Sequence, residues 1–162
     1  MQSYRSFLTS VSFIFCGALI IICSLAPINL TLIKHFFPDL LFCFIFIFLI
    51  RYPTNVSFLA ILFLSLLADF FWYRPVGLYS LTTLIASEFV RWVINSREQI
   101  SLLEEYLIIM LVLIVTTTCQ ELVKFFSLIP SLAIKDIIDY VLLTLVTYIL
   151  ITAFIKIIAI RK

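Results

Sequence analysis

Residues 7–26 form a run of 20 residues without a single charge, and that run constrains the fold more than any other feature of the chain. At about 1.5 Å of rise per residue it makes a helix of roughly 30 Å, the thickness of a bilayer's hydrocarbon core. Arg5 before it and Ser24-Leu25-Ala26 after it imitate an export signal. The apolar run nevertheless outlasts the roughly 7 to 15 residues of such a segment, so it reads as a retained first membrane helix. Further apolar runs follow at 36–50, 56–72, 78–94, 103–126 and 137–158. The expected fold is all-α: a polytopic transmembrane bundle of about six helices in one domain. Composition explains why a water-soluble fold does not compete. Charged residues make up 12% of the 162 residues and hydrophobic ones 64%, against roughly 25% charged in soluble domains. A polar shell cannot be built from so few charges, whereas in lipid the outside is apolar and helices satisfy their own backbone.

Turn residues separate the runs. Pro27 and Asn29 end the first, and a loop with Lys34 and His35 leads to Pro38-Asp39, where a helix tolerates proline because its first N–H groups have no intrahelical partner. The core of the second run, 40–50, is short: about 17 Å, which suits a re-entrant segment unless the helix starts near Phe36 and Arg51 snorkels beside Tyr52. Tyr52-Pro53-Thr54-Asn55 forms the next turn. Tyr73-Arg74-Pro75-Val76-Gly77 is a tight hairpin flanked by Trp72, Tyr73 and Tyr79 at headgroup level. Residues 95–105 form a solvated loop with Arg97, Glu98, Glu104 and Glu105, and Ser127, Pro130 and Ser131 mark the last turn. Six crossings place seven basic residues on the side of the termini and four on the other. The positive-inside rule then puts both termini in the cytoplasm.

Ionisable groups in lipid are costly, which makes those inside the spans the first places to look for function. Asp69 lies one short hairpin from Arg74. It reads as an interfacial residue or an ion pair joining spans three and four, with a proton relay as the alternative. Ser80, Thr83, Ser87 and Arg91 recur at spacings of three and four on one helical face, and Glu88 is placed to pair with Arg91. Thr117, Gln120, Glu121 and Lys124 mark span five, and Thr144, Thr147, Tyr148 and Thr152 mark span six. Such stripes fit interhelical hydrogen bonding; a substrate pocket is the other reading.

Other chemistry is sparse. Cys16, Cys23, Cys43 and Cys119 lie in apolar stretches without a CxxC pair, so neither zinc nor disulfides are expected. His35 stands without a Cys or Glu cluster, and the glycines, Gly17 and Gly77, form no phosphate loop. No cofactor is expected. The small net charge of +2, without a basic run longer than two, gives no sign of nucleic-acid binding. An intramembrane dyad of Asp69 and Asp139 is conceivable chemically, but the flanking residues are unlike those of lipoprotein signal peptidases.

The stretch Leu66-Leu67-Ala68-Asp69-Phe70-Phe71-Trp72-Tyr73-Arg74-Pro75-Val76-Gly77-Leu78-Tyr79, followed by Ala86-Ser87-Glu88-Phe89-Val90-Arg91, resembles the centre of the rod shape-determining protein MreD family, and Pro38-Asp39-Leu40 is similar to the start of that family's second helix. The family often has glycine four residues before the aspartate, where this chain has Ser65. The resemblance covers roughly residues 38–92. It implies a non-enzymatic scaffold of the bacterial inner membrane that binds an MreC-like bitopic protein. Such a scaffold couples MreB filaments to RodA and its transpeptidase in peptidoglycan synthesis, and so maintains cell shape. On that reading Asp69, Arg74, Pro75, Gly77, Glu88 and Arg91 hold the central hairpin in shape. Two other classes stay open. One is a transporter subunit resembling the substrate-binding components of energy-coupling-factor importers, which often meet their coupling subunit through an Ala-x-x-x-Ala face; here the first span offers Gly17-Ala18. The other is a membrane-embedded enzyme using Asp69 or Asp139.

Overall fold

The computed structural model describes residues 2–25, 38–53, 56–97, 101–128 and 133–160. These form six α-helices and no strand: α1 (Gln2–Leu25), α2 (Leu40–Arg51), α3 (Phe58–Phe71), α4 (Leu78–Asn95), α5 (Leu102–Phe126) and α6 (Ile134–Ile160). Two of them, α5 and α6, are long and apolar enough to cross a membrane. Pro27, Asn29, Lys34, His35, Phe36, Thr54, Asn55, Glu98, Pro130 and Ser131 lie outside the described residues.

Hydrogen bonds between distant residues set the helix directions. The end of α1 meets the end of α3 through Trp72 Nε1 donating to Ser24 Oγ at 3.0 Å. The start of α2 meets the start of α4 and the early part of α6 through Asp39. Odd-numbered helices therefore run one way and even-numbered helices the other. The end carrying the 72–77 turn is called here the hairpin end.

Helix α2 is the centre of the bundle, packed against α1, α4 and α6. Leu41, Phe42, Cys43, Ile45, Phe46, Ile47 and Leu49 are all buried. Phe13 of α1 packs on it, with ring centroids 5.0 Å from Phe44 and 5.6 Å from Phe48. Its 12 residues reach only about 18 Å. Its start corrects the expected beginning near Phe36: Pro38 and Asp39 are not helical, because the Asp39 side chain accepts from Phe42 N at 2.8 Å and caps the helix at Leu40. Arg51 also departs from the expected snorkelling. Its Nε and Nη2 are buried without a hydrogen-bond partner, while Tyr52 is exposed. Protein covers most of the apolar surface of α2, leaving Leu40 exposed and Phe44, Phe48 and Ile50 partly buried.

The outer helices are arranged the other way. Exposed apolar side chains recur every three or four residues along α1 (Val11, Phe15, Leu19, Ile22), α4 (Leu81, Ile85, Phe89, Trp92) and α6 (Ile138, Leu142, Val146, Leu150, Phe154), and α3 and α5 carry similar exposed rows. Polar side chains point inward: Asp39, Ser65, Asp69, Thr83, Ser87 and Thr144 are buried.

Helix α5 begins inside the segment expected to be a solvated loop. Ser101 Oγ accepts from Glu104 N and the Glu104 carboxylate accepts from Ser101 N, a reciprocal capping box that starts the helix at Leu102. Glu104 then pairs with Arg97 at 3.0 Å near the surface. Glu105 turns inward and is buried, accepting from Tyr148 Oη at 2.9 Å.

Gly17 lets α1 approach α3. A Cβ there would stand 2.6 Å from Cδ1 of Leu64, a fully buried side chain that would have to shift. Gly17→Val is expected to cost about 1–3 kcal/mol through overpacking. The check is thermal melting of the purified chain, with Leu64→Ala in the same chain recovering part of the loss. An unchanged melting temperature would mean that α1 does not need this contact.

Candidate functional site

The hairpin between α3 and α4 is built around one carboxylate. Helix α4 starts at Gly77, which has φ +99° and no side chain to cap the helix. Its first N–H groups need acceptors from elsewhere. Asp69, fully buried eight residues upstream, supplies them: Oδ2 accepts from Gly77 N at 3.0 Å and Ser80 N at 3.2 Å, and Oδ1 accepts from Tyr79 N at 3.1 Å. The helix's positive end adds to the stabilisation of that negative charge. Asp69 is thus a remote N-cap, and this corrects the expected ion pair with Arg74. No side-chain ion pair joins Asp69 and Arg74 among the described residues. The two residues are joined instead through the backbone, Arg74 N donating to Asp69 O at 3.1 Å. The Arg74 guanidinium lies over the rings of Trp72, at 4.8 Å, and Tyr79, at 5.5 Å. Pro75 O receives Leu78 N at 3.1 Å, closing the turn.

Tyr79 connects this cap to a second carboxylate. Its backbone N–H goes to Asp69, and its hydroxyl goes to Asp39 Oδ1 at 3.2 Å. Asp39 Oδ2 accepts from Tyr140 Oη of α6 at 2.9 Å, and Asp39 N donates to Thr144 Oγ1 at 3.2 Å. Four helices, α2, α3, α4 and α6, are therefore tied at one level by two buried aspartates. Tyr140 lies six residues into α6, so this level is about 9 Å inside the end of that helix.

Glu88 and Arg91 are elsewhere. They lie 11 and 14 residues along α4 from Gly77, or roughly 16 and 21 Å. Arg91 Nη2 donates to the carbonyl of Val56 just before α3, and its Nε is 3.6 Å from Glu88 Oε1, a charge contact too long for a hydrogen bond. The six candidate residues thus split: Asp69, Arg74, Pro75 and Gly77 come together at the hairpin end, and Glu88 with Arg91 at the opposite end. Because Glu88 is half exposed, Glu88→Ala is expected to change stability by no more than about 0.5 kcal/mol. Arg91→Ala, which also frees the Val56 carbonyl, should cost more. Chemical or thermal melting of the two variants side by side checks the order.

The polar stripes bond both within their own helices and across the bundle, and the crossing bonds fit the expected interhelical role. Thr83 Oγ1 donates to Tyr79 O, Ser87 to Leu84 O, Thr117 to Leu113 O and Thr147 to Leu143 O. Lys124 and Glu121 pair at 2.6 Å on α5. Bonds that cross helices include Gln120 Nε2 to Thr82 Oγ1 at 2.9 Å, Tyr106 with Thr152 at 3.3 Å, Asp39 N to Thr144 Oγ1 at 3.2 Å and Tyr148 Oη to Glu105 Oε1 at 2.9 Å. Asp139 borders a surface cleft with Leu142, Leu143 and Val146, whereas Asp69 is occupied by α4 amides, so the two do not meet as a dyad. Cys16, Cys23 and Cys119 are exposed, Cys43 is buried, and no group of three or more metal-ligating side chains occurs among the described residues.

No family model matches the chain, and neither a curated protein nor a solved structure does. Geometry alone therefore marks the hairpin end as the candidate site. It contains groups that the sequence pattern had not singled out as site residues: Asp39, Tyr79 and Tyr140. Asp39 carried a usable signal, an acidic residue directly before an apolar helix, the ordinary mark of an N-cap. Tyr140 carried none, since its partner lies 101 residues away.

Proposed function

We propose that the chain is a non-enzymatic, multi-pass scaffold of the bacterial inner membrane, a rod-complex component of the MreD kind that binds an MreC-like bitopic protein and helps couple MreB filaments to RodA and its transpeptidase. The observation that carries this reading is the use of Asp69. The acidic residue at the heart of the MreD-like stretch directs its carboxylate at three backbone amides of α4, a structural role suited to a rigid scaffold. The exposed apolar rows on α1, α3, α4, α5 and α6 support a lipid-embedded bundle, because soluble proteins rarely expose contiguous apolar patches beyond a few hundred Å². With six crossings, the excess of basic residues on the side of the termini puts those termini in the cytoplasm and the hairpin end at the outer leaflet.

The transporter-subunit reading is weaker on one specific point. Gly17, the small residue that α1 would offer a coupling subunit, is packed against Leu64 of α3. Co-purification tests the scaffold: an affinity-tagged chain is expected to retain an MreC-like partner through mild detergent extraction. Failure to do so in a preparation that is intact and helical would count against the rod-complex reading. A C-terminal reporter found outside the cytoplasm would sink the six-crossing topology.

A further inference from the structure

At the hairpin end, a cavity of about 170 Å³ opens between the end of α1, the start of α2, the 72–77 turn and α6. Asp39 and Arg74 both line it, with Ser24, Trp72 and Tyr140. The two charges do not pair with each other: no Asp39–Arg74 ion pair occurs among the described residues. Ser24 is satisfied, accepting from Trp72 Nε1 and donating to Ile21 O. Arg74 is not. Its guanidinium stacks on Trp72 and Tyr79 but has no hydrogen-bond acceptor or anionic partner among the described residues. Asp39 holds two tyrosine hydroxyls and one amide but no cation.

We propose that this cavity binds a zwitterionic group, an anionic phosphate seated on Arg74 and a primary ammonium seated on Asp39, as in the headgroup of phosphatidylethanolamine. Each half of the assignment follows from the charges. A simple anion would meet the Asp39 carboxylate on the same wall, and a simple cation would meet Arg74. The neighbouring carboxylate, Asp69, is taken up by the amides of α4. The N-termini of α2 and α4 each supply roughly half a positive charge beside an aspartate. The site is thereby close to neutral overall, which favours a ligand that is itself neutral but strongly dipolar. Arginine's planar fork suits phosphate oxygens, and stacking on the rings leaves its edge N–H groups free for them. A lipid is the favoured source because Trp72, an aromatic residue of the kind enriched at headgroup depth, forms part of the cavity wall, and because Ile20, Leu40 and Leu41 give it an apolar side.

The inference rests on the bilayer part of the proposed function and is independent of the rod-complex part. Trp72 in the cavity wall provides the readout once the exposed Trp92 is replaced by Phe. The full-length Trp92→Phe chain in detergent is titrated with short-chain phosphatidylethanolamine, with phosphatidylglycerol of the same chain length, and with free phosphoethanolamine. The expected result is a saturable Trp72 fluorescence change with phosphatidylethanolamine, at least tenfold weaker with phosphatidylglycerol and at least tenfold weaker in an added Arg74→Gln variant. Arg74 makes no side-chain hydrogen bond among the described residues, so the variant should stay folded, which circular dichroism checks. Free phosphoethanolamine binding within tenfold of the lipid would uphold the zwitterion site and assign a soluble source; much weaker binding would assign the lipid. Equal binding of phosphatidylglycerol, an unchanged titration in folded Arg74→Gln, or no saturable change in folded protein would overturn the proposal. Carbonate-resistant membrane association, measured on the same chain, separates failure of this site from failure of the bilayer reading.

Discussion

Asp69→Ala is expected to destabilise the chain by about 3–5 kcal/mol. It removes the acceptor for three α4 amides, and each buried donor left without a partner costs about 1–3 kcal/mol. The Gly77 amide is part-buried and recovers some of its loss from water, which keeps the total below the simple sum. Gly77 has no side chain to take over the cap, and its positive φ keeps a β-carbon-bearing residue from doing so without strain. Asp69→Asn should fall between wild type and Ala, since its amide oxygen still accepts while its NH₂ faces other donors. The measurements are the melting temperature of purified protein and recovery of the MreC-like partner in co-purification. On the scaffold reading the two should fall together. Normal partner recovery and normal cell shape in Asp69→Ala would remove the hairpin from the function.

The second large effect is expected at Asp39. Asp39→Ala should cost about 2–4 kcal/mol, because it uncaps α2 and strands the hydroxyls of Tyr79 and Tyr140. Each tyrosine replaced alone by Phe should cost about 1 kcal/mol. The double variant should exceed the sum of the singles, since either hydroxyl partly stabilises the carboxylate and losing both leaves only the Phe42 amide beside it. A double-mutant cycle by denaturant or thermal melting measures that coupling. Strict additivity would show that the tyrosines act independently and that Asp39 is not their common centre.

Several parts of this structure were open to reading from local pattern. Six helices follow from apolar runs punctuated by Pro, Gly and polar turns, and the exposed rows on α1, α4 and α6 follow from the helical repeat. The 73–77 turn is legible because proline and glycine restrict or release the backbone residue by residue. Pairings across the bundle were not legible. The sequence places Asp69 near Arg74, and charge alone suggests that they pair. The nearest unsatisfied donors, however, are the amides of α4, which become visible only when the chain reverses at Gly77. The Glu104–Glu105 step shows the same limit. Both look solvated in sequence, yet the capping box rotates one outward and one into the core beside Tyr148.

By itself, then, the sequence determined which segments become helices, where the hairpin reverses and that most of the outer surface is apolar, because these depend on backbone preference and side-chain periodicity over a few residues. Tertiary structure alone decided that short α2 lies at the centre and that Asp39, Tyr79 and Tyr140 meet. It also decided that Arg74 faces a cavity with an opposite charge left unpaired. Those outcomes depend on which helix faces pack together across up to a hundred residues of chain, and on buried polar groups finding whichever partners that packing brings within reach.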